Sequence, residues 1–567
     1  MRLYPGLPTA GPLIGALLLL ALCTGCAKPE VVQERHAAAI ASAHPLATQA
    51  GMDILAAGGN AFDAAVAVGA ALAVVEPYSS GLGGGGFWLL HRATDGYEVV
   101  VDGRETAPLA ARRDMYLDTG GDVVPDLSVD GALAAAIPGM PAALAHIAGH
   151  YGRLPLAQSL APAIRLARTG FTVESHYQKL AGFRLVALQN DAEAASIFLD
   201  RDAVPESGYR IVQPELAMVL EALAARGRDG FYAGPVAQQL VAGVRAAGGI
   251  WTAEDLAGYA VIERTPIHVA YRGLEITSVP PPSSGGIALA EMLNILSGFD
   301  LPALPTADRA HLVIEAMRRA YRDRAEFLGD SDFVQVPVAR LTSQAHADQV
   351  AASIDPQRAT PSAMLAGREL PEGGNDTTHF SILDAEGNRV AATLSINYPF
   401  GAGVVPPGTG VLLNDEMDDF SAKPGVPNVY GLVGSGANAI EPGKRPLSSM
   451  TPTFVETGNA VAILGTPGGS RIITMLLLGI LDIAAGDLPE SWVRLPRFHH
   501  QYLPDVVQHE ADAFDAETLQ RLHAKGHTLE AYQSTWGNMQ AVYFDRKSGK
   551  VYAASDPRGI GAAQVVP

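Results

Sequence analysis

Cysteine is almost missing: the 567-residue chain has two, Cys23 and Cys26. Both follow a short apolar run near the N-terminus, so the rest of the chain has no disulfide and no thiol nucleophile. Their C-x-x-C spacing lacks the further ligands or folded redox partner that zinc binding or electron exchange needs. Positive charge is also short, with 40 Lys and Arg against 59 Asp and Glu, a net charge of −19. A surface this acidic repels phosphate backbones and excludes nucleic acid as a partner. No H-E-x-x-H occurs, and His499-His500 has no carboxylate at metal-ligand spacing, so packing accounts for that pair and neither metal nor cofactor is expected. Repeats, heptads and low-complexity tracts are absent as well.

Glycine and proline, in contrast, are plentiful at 60 and 39, which implies many tight turns and close backbone approaches. The apolar run Leu13 to Leu22 (LIGALLLLAL) is too short to span a bilayer but suits the core of an export signal. Its ending, Cys23-Thr24-Gly25-Cys26, resembles a bacterial lipobox with Cys26 as the first mature residue. Residues 1–25 are therefore expected to be a signal peptide and Cys26 a lipidation site. The protein would be exported to the periplasm and touch a membrane only through that lipid.

From Ala47 the chain reads as two helices, the first stopped by Gly58-Gly59 and the second started by Asn60 or Asp63. The second is apolar nearly all round and is expected to be buried. Gly81, Gly83 and Gly86 satisfy G-x-G-x-x-G, but a dinucleotide fold needs a strand before that motif and a helix after it. Here a helix precedes it, and the β-like Phe87-Trp88-Leu89-Leu90 follows, pairing with Tyr97 to Asp102 around Asp95-Gly96. The middle third alternates helical segments with Gly/Pro turns. Further β-like runs stand at 410–414, 453–456 and 460–464, and a helix is expected from about Ser470 to Ala485. Helices early and strands late suggest a layered α+β fold.

The sharpest local signal is Thr377 to Asp384 and Arg389 to Asn397, two alternating runs around the turn residues Ala385-Glu386-Gly387-Asn388. Thr377, His379 and Ser381 share one strand face; Thr393, Ser395 and Asn397 share one on the other strand. A loop of 385–388 would set Thr377 opposite Ile396, whereas a loop one residue longer or shorter pairs the polar faces. The second register is preferred, and it brings the Ser395 hydroxyl beside Thr377. A solvent-facing polar stripe fits the same pattern.

Thr377-Thr378-His379-Phe380-Ser381 resembles the T-T-H-[YF]-S segment of γ-glutamyltranspeptidases. Asn414 to Ser421 (NDEMDDFS), Lys444 to Met450 (KRPLSSM), Gly465 to Arg471 (GTPGGSR) and Ala554 to Arg558 (ASDPR) match the same family. So do Gly58 to Ala65 (GGNAFDAA), Gly83 to Phe87 (GGGGF) and Asp102-Gly103-Arg104-Glu105, all in the family's order. The resemblance implies an N-terminal-nucleophile hydrolase with a four-layer αββα sandwich. It would be made as one precursor and cut between Asp376 and Thr377 into a large subunit (26–376) and a small one (377–567).

The resemblance also implies the chemistry of the site. A threonine hydroxyl needs a base, and a freed α-amine with a pKa of about 7.7–8.0 can supply one. Thr377 would attack the Asp376 carbonyl during maturation and a γ-glutamyl carbonyl during turnover, with Ser395 beside it. Gly468 and Gly469, before a helix start, would offer an oxyanion hole. Arg104 would hold the substrate α-carboxylate with Ser448 and Ser449; Glu416 and Asp419 would hold the α-ammonium, with Asn397 completing the hydrogen bonds. Residues 422–441 look like the lid of related enzymes, with Tyr430 covering the pocket. The donor would be glutathione or a related γ-glutamyl amide, and the acceptor water, an amino acid or a dipeptide. Ser395 stands where Thr is frequent and Asp376 where other residues are often seen. The rival readings are a glutaryl or cephalosporin acylase of the same family and a noncatalytic solute-binding lipoprotein.

Overall fold

The computed structural model describes residues 36–365 and 377–567. The expected signal peptide, Cys26 and Asp376 lie outside the described residues. In chain order the main strands are β1 (Ala38–Ser42), β2 (Gly85–Arg92), β3 (Tyr97–Gly103), β4 (Ile262–Arg264), β5 (Ile267–Tyr271), β6 (Leu274–Ser278) and β7 (Thr378–Leu383). They continue with β8 (Arg389–Ser395), β9 (Thr453–Thr457), β10 (Ala460–Gly465), β11 (Gln540–Asp545), β12 (Lys550–Ser555) and β13 (Ala562–Val566). One sheet has the order β13-β1-β7-β8-β2-β3-β4 and the other β12-β11-β10-β9-β6-β5. Every neighbouring pair in both is antiparallel.

Period-two alternation builds the layers. On β2, Phe87 and Leu89 join Ala391, Phe454 and Ile463 in a core between the sheets, while Trp88 and Leu90 face helices on the other side. Those helices include α1 (Pro45–Ala56) and α2 (Ala61–Val75). All fifteen residues of α2 are buried, as its uniform apolarity implies, and Asn60 starts it through a capping box with Asp63. The far side of the second sheet is covered by α3 (Gly285–Ser297), α4 (Thr306–Phe327) and α6 (Ile472–Ala485), with α5 (Gln344–Ala351) packed on α3. The result is the expected αββα sandwich.

The structure departs from the sequence reading in two places. Residues 410–414 are not a strand: Leu413 makes a single bridge to Gly83, and Gly410 turns left-handed at φ 61°. That short crossing carries the next residues, 414–419, toward the pocket. The middle third also contains β4 to β6, which its Gly/Pro punctuation obscured; the alternating burial of β5 is their trace. Among the described residues, no helix is long and apolar enough to cross a membrane.

Candidate active site

The β7–β8 hairpin adopts the preferred register: Leu383 pairs with Arg389, His379 with Thr393 and Thr378 with Leu394. Thr377, one residue earlier, is therefore level with Ser395. The loop is one residue longer than 385–388 because Asp384 leaves the strand to close it. Asp384 Oδ1 accepts from the amides of Glu386 and Asn388 at 2.9 and 3.0 Å, and Oδ2 accepts from the Ala61 amide at 2.9 Å. The turn is thus tied to the start of α2.

Alternation sends the two threonines of the motif to opposite faces. Thr378 turns to the helical side and donates to Glu76 Oε2 at 2.7 Å. Burial lifts that carboxyl to a pKa of about 7, against the pull of the Thr378 and Tyr78 hydroxyls. His379 turns between the sheets, bonded to Thr393 and Ser381, and burial lowers its pKa to about 3, so it stays neutral. Its ring occupies the space a side chain at Gly465 would need: a Cβ there would lie 2.2 Å from the imidazole.

Thr377, Ser395, Asn397, Arg104, Glu416, Asp419, Tyr430, Ser448, Ser449 and Gly469 line one pocket. Leu432, Met450, Ser470 and Ile472 complete its wall. Gly468 is not among the lining residues; it packs under Met475, with φ 140°, and turns the chain into Gly469. Asn397 is held in a left-handed conformation (φ 72°) by bonds on both sides. Its amide donates to Ser395 Oγ at 2.8 Å, and its side chain donates to the Asp415 carbonyl at 3.0 Å. Asp415 also accepts from the Tyr398 amide at 2.9 Å. Tyr430 closes over this turn, donating its hydroxyl to the Asn397 carbonyl at 2.6 Å, and its ring rests on Gly469.

Arg104 is fully buried at the end of β3. Asp102 accepts from its amide, the Pro446 carbonyl accepts from its Nε, and its two terminal nitrogens pair with Glu416 and Asp419. Three acids surround this one guanidinium, since Glu105 lies 3.6 Å from it. Glu416 Oε2 and both Glu105 oxygens have no hydrogen-bond partner. Burial raises the Glu416 pKa to about 7, with Arg104 opposing and Asp419 adding to the rise. Asp419 is raised by burial too, and Glu105 lies well above the usual carboxylate range from burial and from Glu416.

Sequence reasoning missed several of these groups. Arg324, on α4, is a second buried cation: its Nε donates to Ser284 Oγ at 3.0 Å and its Nη2 to Ser449 Oγ at 3.2 Å. No local pattern marks it among the other arginines of that helix. Glu105 and Asp415 stood inside family motifs without a role. The glycine run also has a role that its motif resemblance hid: a Cβ at Gly84 would lie 2.1 Å from the Ser395 carbonyl oxygen. The backbone of β8 thus passes closer than any side chain permits. His499 and His500 are buried, bonded to Thr474 and Asp505 respectively.

The Gamma-glutamyltranspeptidase family matches the chain over residues 47–566. The chain belongs to that family. It is 45% identical to the glutathione hydrolase proenzyme of Escherichia coli, over 92% of this chain and 90% of that one. Among solved structures, a cephalosporin acylase from Bacillus halodurans superimposes with TM-score 0.82 at 29% identity, covering 94% of this chain and 96% of that one. A Helicobacter pylori gamma-glutamyltranspeptidase gives TM-score 0.56 at 42% identity, covering 57% of this chain and 93% of that one. Membership carries with it the N-terminal-nucleophile hydrolase fold and the γ-glutamyl transfer and hydrolysis implied by the motifs.

Proposed function

We propose that the chain cuts itself before Thr377 and then uses that residue to take the γ-glutamyl group from glutathione or a related amide. One observation carries the reading: Thr377, Ser395 and a buried Arg104–Glu416–Asp419 cluster share a pocket under Tyr430. In the precursor, the Thr377 hydroxyl adds to the Asp376 carbonyl, the peptide nitrogen leaves as the new α-amine, and water resolves the ester. In turnover, the hydroxyl attacks the γ-carbonyl and gives its proton to that α-amine, which passes it to the departing amine. Backbone amides at Gly468-Gly469 stabilise the oxyanion. Water, or the amino group of an amino acid or dipeptide, then releases the glutamyl group.

The charge pattern supports a γ-glutamyl donor over a glutaryl one. A substrate carrying both a carboxylate and an ammonium can exchange the internal Arg104 pairs for two external ones, carboxylate to Arg104 and ammonium to Asp419 or Glu416. Ser448, Ser449 and Asn397 add hydrogen bonds. A glutaryl group has no ammonium to offer the displaced acids. The subunits so made would be 26–376 and 377–567, exported through residues 1–25 and anchored by a lipid on Cys26 to a periplasmic membrane face.

The decisive test is Thr377→Ala. A single chain on a denaturing gel, without turnover, is the expected result, and the wild-type smaller piece should begin at Thr377 by N-terminal sequencing. Two subunits from the variant would refute the nucleophile. Faster release from glutaryl than from γ-glutamyl anilide would move the substrate to an acylase type.

A further inference from the structure

Away from the catalytic pocket, three helices meet at Glu291 (α3), Asp323 (α4) and His346 (α5), whose ligand atoms lie within 4.8 Å of one another. His346 Nε2 is 2.9 Å from Asp323 Oδ2 and 3.6 Å from Glu291 Oε1. A four-coordinate ion with bonds of about 2.0–2.2 Å holds its ligand atoms roughly 3.3–3.6 Å apart, so small side-chain shifts would admit one. Glu291 and Asp323 are each 1% exposed, and neither oxygen of Glu291 has a hydrogen-bond partner. Asp323 divides its oxygens: Oδ2 faces the imidazole, and Oδ1 lies 2.9 Å from Arg322 Nε without a hydrogen bond between them. His346 is 10% exposed and gives the cluster a way in from solvent.

We propose that Glu291, Asp323 and His346 bind one divalent transition-metal ion of the zinc class. Two carboxylates and an imidazole are a hard-to-borderline donor set that suits Zn²⁺ and its neighbours. A bound ion would satisfy the two bare Glu291 oxygens, whose burial is otherwise costly. It would also brace α3 against α4, the two helices leading to Ser284 and Arg324 beside the pocket.

Two other clusters have similar composition and fail the same criteria. At His311, Glu315 and His527, the Glu315 oxygens are already taken by Arg318, Arg319 and the Thr360 amide, and the imidazoles bond each other at 2.7 Å. At His91, Glu98 and Glu456, the acids pair with Arg389, Arg546 and His91 itself. His527 Nδ1 is also without a partner, but of the three only the Glu291 cluster holds a buried carboxylate with both oxygens unpartnered.

The test uses mature protein, stripped by chelator and titrated calorimetrically with Zn²⁺. One equivalent should bind, raising the melting temperature. Glu291→Gln and His346→Ala should each weaken binding at least about tenfold and abolish the thermal gain, while both stay processed and active. Co²⁺ on wild-type protein should give visible ligand-field bands that Zn²⁺ displaces. Absence of saturable one-to-one binding, or equal affinity in both variants, would overturn the proposal. Should a variant misfold, anomalous diffraction at the zinc edge from wild-type crystals decides: density between these three residues supports the site, and density only elsewhere refutes it.

Discussion

Two buried acid–arginine clusters in this molecule look alike in composition and behave oppositely. In the first, Glu315 on α4 is met by Arg318, Arg319 and the Thr360 amide, and Arg318 reaches on to Ser362 and Asp505. In the second, Glu416 shares Arg104 with Asp419 and Glu105, and one of its oxygens has no partner. Burial pushes both glutamates up. At Glu315 the two arginines more than cancel it and the pKa ends below the ordinary 4.5; at Glu416 it ends at about 7. The lesson concerns donor count. A network with enough donors is finished and holds the fold, whereas one short of donors is waiting for a ligand.

The strongest way to break this contrast is to remove the arginine from each. Arg318→Met should cost about 3–5 kcal/mol of folding stability, read by urea unfolding, with turnover per folded molecule close to wild type. If stability fell by less than a tenth of that, the Glu315 network would not be structural. Arg104→Met also leaves buried acids without their cation and should lower stability, but its larger signature is on turnover. It should lower kcat/KM on a γ-glutamyl anilide about 100- to 1000-fold, or roughly 3–4 kcal/mol. A loss under tenfold would remove Arg104 from the substrate site.

Smaller and more diagnostic is the pH dependence of two glutamine variants. Below its ordinary pKa of 4.5, Glu416 is protonated in folded and unfolded chains alike. As pH rises toward about 7, the unfolded chain loses that proton first, so stability drains away across this window. Glu416→Gln should therefore melt higher than wild type at pH 8, by on the order of 1–3 kcal/mol, and converge with it near pH 4. Glu315 runs the other way: its lowered pKa stabilises the fold above 4.5, and that contribution fades as pH falls through the folded value. Glu315→Gln should melt below wild type at pH 8, with the gap closing in acid. Two difference curves of the same sign would erase the distinction drawn between the clusters.

Much of this was legible in one dimension, and the limits are physical. The hairpin register could be reasoned out because alternation and turn residues are local, and only the role of Asp384 decided between loop lengths. The capping of α2 by Asn60 and the burial of that helix were likewise written in adjacent residues. Arg324 and the donor shortage at Glu416 were not, because Arg324 meets Ser284 and Ser449 at separations of 40 and 125 positions and Glu416 meets Arg104 at 312. Residues 410–414 misled because an apolar run that crosses a glycine-rich segment once looks the same as one that pairs along its length.

The order of strands also settles what a chain break can do. In the larger sheet, β1 from the N-terminal side lies between β13 and β7 from the C-terminal side, and β8 is zipped to β2; in the other sheet, β9 is zipped to β6. A cut before Thr377 consequently releases an end but no piece, since parting the fragments would mean unzipping both sheets at once. The two fragments would then stay interleaved, and fragments made separately would have to be woven together afresh.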